Sequence, residues 1–143
     1  MNNPHQQLLQ QIDLMLRARY PLLYIVGVEE EPIEQVLQQL TQISQTPRQL
    51  LLWDIVTGWD DNGTDKGSVM GALSRITKTS ENTTTIFVLR DIHFILKNSE
   101  TEKNAPVIRA IKNLTRQLKR TRQTLILTSH ILTIPPELQE EIT

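Results

Sequence analysis

Apolar residues recur along this chain in two alternating rhythms. Leu8, Leu9, Ile12, Met15 and Leu16 fall at the three- and four-residue intervals of one helix face, predicting a helix from Pro4 to about Ala18. Pro4 suits a first helical position, where its missing N–H costs nothing. Pro21 ends this helix, and PLLYIVGV (21–28) reads as an unbroken apolar strand. Ile33, Val36, Leu37, Leu40 and Ile43 restore the helical rhythm, with Pro32 in the first turn and Pro47 closing the segment. QLLLWDI (49–55) is a second strand ending near Asp54, and the Gly-, Asp- and Asn-rich TGWDDNGTDKG (57–67) is loop by composition.

The same rhythms repeat downstream. A helix from about Ser68 to Lys78 carries Val69, Met70, Leu73 and Ile76 on one face. TTIFVLRD (84–91) is a third strand closing on Asp91, and the less regular IHFILKNSETEKN (92–104) leads to a helix from about Ala105 to Arg120. TLILTS (124–129) is a fourth strand, and IPPELQEEI (134–142) a final short helix. Strands built of unbroken Leu, Ile and Val are covered on both faces, the mark of a parallel sheet between helix layers. The expectation is a three-layer α/β/α sandwich with a mostly parallel sheet. No internal repeat, low-complexity tract or linker divides the chain, so residues 1–143 read as one domain.

Composition narrows the picture. The 143 residues are 38% hydrophobic with a formal net charge of -1, which fits a packed domain and argues against a disordered or nucleic-acid-coating one. Without cysteine there is no disulfide framework and no thiolate metal site. No apolar run approaches the roughly 18 residues that span a bilayer, and MNNPHQQLLQQ lacks the pattern of a signal peptide. A cytoplasmic or equivalent compartment is expected. PPELQEEIT (135–143) stops just after a helical-looking segment, as a portion of a longer chain would.

In open α/β sheets ligands gather beyond the carboxyl ends of the strands, here Val28-Glu29-Glu30, Trp53-Asp54, Arg90-Asp91 and Thr128-Ser129. A phosphate cradle at the first of these needs glycines to expose backbone N–H groups, a lysine for the β/γ-phosphates and a hydroxyl for magnesium. GVEEEPIEQ (27–35) has Gly27 but no lysine, serine or threonine. Glu29, Glu30 and Glu31 repel a triphosphate, and Pro32 removes a donor. The same residues suit a helix start, where carboxylates favour the macrodipole and proline is at home.

IFVLRDIH (86–93) has the form of a Walker-B element delivering Asp91 toward magnesium, yet Ile92 stands where an ATPase carries the glutamate that positions water. Two readings of Asp91 stand side by side: a metal contact, or a strand-end carboxylate that pairs with Arg90 or caps the next segment. A nucleotide or magnesium site of unusual form, built on Asp91 and Asp54, is the alternative to a chain without such a site. His5, His93 and His130 show no HxxxH or His/carboxylate spacing, so no metal site is expected. Ser129 and His130 are strand neighbours that point to opposite faces and lack a GxSxG elbow, which discounts hydrolase chemistry.

The long helix places Val107, Ile111, Leu114 and Leu118 toward the core, with Arg109, Lys112, Arg116, Lys119 and Arg120 over the rest. In a near-neutral protein with no interleaved aromatics, this stripe reads as a solvated face or a contact for an acidic partner, and nucleic acid is not expected. Trp53 reads as core. Trp59, in a polar loop, is a candidate interaction anchor, against the plainer reading that it folds back over the sheet edge. A receiver-like signalling domain is a further reading, because Glu29-Glu30, Asp54 and Ser129 mimic parts of a phosphoacceptor site. Its spacing fails, since one helix and no extra strand separate the acidic pair from Asp54, and no suitable strand-end lysine follows.

LLQQIDLMLRARYPLLYIVGVEEEPIEQVL (8–37), LLLWDIVTGW (50–59), TIFVLRDIHFIL (85–96) and LILTSHILTIPPELQEEIT (125–143) together resemble the N-terminal, ATPase-like half of the AAA-type ATPases of cyanobacteria and algal plastids, first catalogued as a conserved hypothetical chloroplast reading frame. RARYPLLYIVGVEEE and IPPELQEEIT are the more specific segments. The resemblance implies a P-loop-type, AAA-like topology lacking Walker A, with strand order 1-4-3-2 and the first strand at an edge. It matches Asp91 to a vestigial Walker-B position and Ser129 to a sensor position, with no counterpart to the Walker-A lysine or catalytic glutamate. It further implies a non-catalytic domain for assembly or partner binding, no cofactor on this chain, and ATP with magnesium in a downstream AAA module of the parent protein. The last strand of the ATPase sheet would then follow Thr143, and the compartment would be the cytoplasm or, in an alga, the plastid stroma.

Overall fold

The computed structural model describes residues 4–27, 29–43, 48–79, 83–98, 101–140 and 142. Val28 and Pro47, invoked above as a strand end and a helix stop, lie outside those residues, as do the side chain of Ile43, residue 141 of the expected final helix, and residue 143. The strands are β1 (Leu22–Val26), β2 (Gln49–Asp54), β3 (Gly58–Trp59), β4 (Thr85–Arg90) and β5 (Thr124–Ser129). The helices are α1 (Pro4–Arg17), α2 (Glu30–Ile43), α3 (Val69–Lys78), the short α4 (His93–Lys97) and α5 (Ala105–Leu118).

Period-two alternation along the strands assigns each side chain to one of two cores. Phe87 and Leu89 of β4, with Leu125 and Leu127 of β5, join Leu73 and Ile76 of α3 and Ile111 and Leu114 of α5. Their neighbours Ile86, Val88 and Ile126 join Ile12 and Leu16 of α1 and Val36, Leu37 and Leu40 of α2 on the other face. Each fully buried Leu, Ile or Val contributes about 1.5–3 kcal/mol relative to exposure, so both faces hold the sheet. Helix α3 starts where Ser68 Oγ accepts the Gly71 N–H at 2.9 Å, one of the orphan donors of a first turn.

The sheet order is β1-β5-β4-β2-β3, which corrects the four-strand expectation. The added strand β3 pairs antiparallel with β2, Trp53 opposite Trp59 and Asp54 opposite Gly58, inside the stretch read as loop. Asp54 makes the return possible: Oδ1 accepts the N–H groups of Val56 and Thr57, and Oδ2 accepts the Thr57 hydroxyl. Gly58 follows at φ +72, and a Cβ there would strike the carbonyl oxygen of Thr64. The other strand pairs are parallel, β1 on β5, β5 on β4 and β4 on β2, leaving β1 at one edge. The expected final helix is a second correction. Within the described residues only Pro136–Leu138 forms a 3-10 turn, because Pro135 is held extended at ψ 152 and the paired prolines lack N–H groups.

Candidate functional site at the carboxyl ends of the strands

Helix α2 begins with Glu30 and Glu31, as expected for carboxylates at a helix N-terminus. Gly27 serves packing: a Cβ there would collide with the side chain of Ile33 as α2 crosses the end of β1. From the end of β4, Arg90 reaches across to α2 and holds Glu34 in a two-pronged pair, Nε to Oε2 at 2.7 Å and Nη2 to Oε1 at 2.6 Å. Its remaining nitrogen, Nη1, donates to Asp54 Oδ2 at 3.2 Å, and Glu30 lies 3.9 Å from Nε. The partner of Arg90 is thus Glu34 with Asp54, and not Asp91 as one sequence reading had it.

The electrostatics follow from these contacts. The Glu34 carboxylate, against the opposing effect of burial, holds the Arg90 guanidinium protonated more firmly than usual. Burial pushes the Asp54 carboxyl up, but Thr57, Val56 and Arg90 together outweigh it and leave the group below its ordinary range. Glu30 moves the other way, raised first by burial and then by the Asp91 carboxylate.

Asp91 leaves β4 at φ 58, a left-handed conformation that costs a non-glycine residue energy. Its N–H donates to the Thr128 carbonyl at 2.9 Å, while its exposed carboxylate takes no hydrogen bond among the described residues. His93, at the start of α4, is buried, with Nδ1 2.8 Å from Ser129 Oγ. Ser129 Oγ also accepts the Ile131 N–H at 3.2 Å, so the expected sensor-position hydroxyl is engaged by the protein itself. His130 meets His93 edge-on, ring centroids 4.7 Å apart. One donor atom each from Asp91, His93 and His130 lies within 4.8 Å of the others. Spacing in the sequence gave no sign of this group, which arises because pairing of β4 with β5 sets Arg90 beside Thr128. The usable signal was positional: all three residues follow strand ends.

Two clefts open on this face. One of ≈ 240 Å³ is lined by Gly27, Glu30, Asp91, Thr128, Ser129 and His130. The other, of ≈ 270 Å³, is mostly apolar, with Trp53, Ile55, Val56, Ile92 and Phe94 in its wall and Arg90 and Asp91 at its rim. Ile55, Val56 and Phe94 are 53%, 76% and 65% exposed, a cluster of solvent-facing apolar groups.

Other candidate residues lie elsewhere. Trp59 is 1% exposed, which corrects its reading as a surface anchor. It packs edge-on against Phe87, donates Nε1–H to Asp65 at 3.1 Å and carries the Arg75 guanidinium over its ring. Arg109, Lys112 and Arg116 share one side of α5 and line neither strand-end cleft. At the opposite end of the sheet Arg17, Arg19, Arg48 and Arg122 line a polar cleft of ≈ 330 Å³. Arg17 lies in the last turn of α1, where a cation offsets the negative end of the helix dipole.

The sequence profile of a family described as "SpoVK-like AAA ATPase, N-terminal domain" matches residues 8–143. A protein of Guillardia theta named "Uncharacterized AAA domain-containing protein ycf46" is 34% identical over 134 residues, covering 91% of this chain and 25% of that protein. Proteins of the same name from Trieres chinensis and Pyropia yezoensis are 31% and 28% identical, covering 91% and 94% of this chain and 26% and 27% of theirs. The chain therefore spans about a quarter of the length of these relatives.

Proposed function

This chain belongs to the SpoVK-like AAA ATPase N-terminal domain family, and from that premise we propose that it is a degenerate, P-loop-type domain that binds a partner instead of hydrolysing ATP. In this reading ATP and magnesium belong to a downstream AAA module of a longer protein, in the cytoplasm or the plastid stroma. The observation that carries the proposal is the pairing of Arg90. The cation at this strand end is committed to Glu34 and Asp54, and the turn before α2 offers carboxylates where a triphosphate requires N–H groups and lysine.

The alternative site on Asp91 and Asp54 is the weaker reading. Both oxygens of Asp54 are occupied by Val56, Thr57 and Arg90, which leaves little for magnesium or for a transferred phosphoryl group. Positive support for partner binding comes from the solvent-facing Ile55, Val56 and Phe94 beside the apolar cleft, because exposed apolar clusters rimmed by polar groups mark contact surfaces. The partner that fits is the AAA module itself, with the Arg109, Lys112 and Arg116 stripe of α5 as a companion surface for acidic groups.

The test replaces Val56 and Phe94 together by aspartate and measures binding of this domain to the AAA module supplied as a separate chain. Both side chains face solvent, so circular dichroism and the unfolding midpoint should hold while affinity falls by about tenfold or more. Undiminished affinity would remove this face from the account.

A further inference from the structure

We infer that Asp91, His93 and His130 form a binding site for a divalent first-row transition-metal ion of the zinc type. The inference rests on imidazoles and is independent of the partner-binding proposal. Two imidazoles and one carboxylate suit zinc, cobalt, nickel or iron(II), whereas magnesium and calcium prefer all-oxygen shells. The donors come from two chain segments: Asp91 and His93 in the connection from β4 into α4, and His130 just after β5. They converge with one donor atom each inside 4.8 Å. Tetrahedral zinc with bonds near 2.0–2.2 Å sets its donors about 3.3 Å apart. Closing that difference falls to the Asp91 and His130 side chains, which are exposed, because His93 is buried.

Surrounding groups behave as supports for such a site. Ser129 Oγ stands 2.8 Å from His93 Nδ1 and is itself held by the Ile131 N–H. This hydrogen bond can run in either direction; with Nδ1–H as donor, Nε2 is unprotonated and available to a metal, and in both cases the contact fixes the ring plane as outer partners of metal-bound histidines do. Thr128 lines the same cleft and keeps a buried hydroxyl with no partner among the described residues. Asp91 turns the chain out of β4 in a left-handed conformation, and its exposed carboxylate accepts no hydrogen bond among the described residues.

Tag-free protein titrated with cobalt(II), followed by visible d–d absorption and equilibrium dialysis, provides the test. The site predicts one equivalent bound, displaced by zinc but not by a large excess of magnesium. His130→Ala and Asp91→Asn should each weaken cobalt binding about tenfold or more, with unchanged circular dichroism because both side chains are exposed. His5→Ala, on α1, should leave binding as it is. Absence of cobalt binding at millimolar metal would overturn the site. So would affinity indifferent to both substitutions, or displacement by magnesium as effective as by zinc.

Discussion

Arg90 holds Glu34 through two parallel hydrogen bonds with both side chains 18% exposed, so removing it strands carboxylates in a half-buried setting. Arg90→Met is expected to lower stability by about 2 kcal/mol, read from urea unfolding, with Arg90→Lys recovering only part because ammonium lacks the planar fork. The carboxyls around it also set the pH response. Asp54 and Asp61 have folded-state values below the ordinary 3.8, so their contribution is present above that value and lost as pH falls below it. Hydrogen bonds from Arg75 are the main cause for Asp61. Glu30, raised above 4.5, works in the opposite sense: its charge costs stability near neutrality, and the cost is relieved as pH falls toward 4.5. Glu30→Gln should therefore raise the urea midpoint at pH 7, while Asp61→Asn should lower it there and flatten the acid limb. Midpoints that move together would refute this division. At this scale the sequence was partly legible. Acidic strand ends were visible, but Arg90 choosing Glu34 over its neighbour Asp91 depends on where α2 lies, which no local pattern carries.

Elements with long apolar rhythms were the most legible. The helical spacing of Leu73 and Ile76 or of Ile111 and Leu114, and the unbroken runs of β4 and β5, have a cause in burial on defined faces. Strand β3 escaped because two residues carry no period, and its formation rests on the Asp54 turn and on Gly58. Gly58→Ala should cost about 2 kcal/mol or more, since it adds a clash with backbone to a positive φ. A neutral result in thermal or urea unfolding would mean that the turn relaxes freely. For Trp59 the sequence left two readings side by side; Asp65, Phe87 and Arg75 enclose its ring, which favours the plainer one, a side chain folded back at the sheet edge, over a surface anchor. The final segment was read as a short helix, and among the described residues two adjacent prolines leave it one 3-10 turn.

Across the whole molecule, β1-β5-β4-β2-β3 brings the ends of β1, β5, β4 and β2 to one face, where acidic, imidazole and apolar groups stand side by side. Sequence alone located this face, because ligand positions in open α/β sheets follow from strand direction. It could not join His93 to His130, which lie far apart in the chain and meet only through the pairing of β4 with β5. The exposed Val56 and Phe94 were likewise unremarked, since apolar residues beside a strand read as core until the fold shows which face is open. On the proposed function, the turn before α2 does not serve a nucleotide. Calorimetric titration of magnesium-ATP into this chain tests it most directly. The expected result is no saturable heat and a Kd no tighter than about 1 mM, whereas micromolar binding weakened by Asp91→Asn would contradict it.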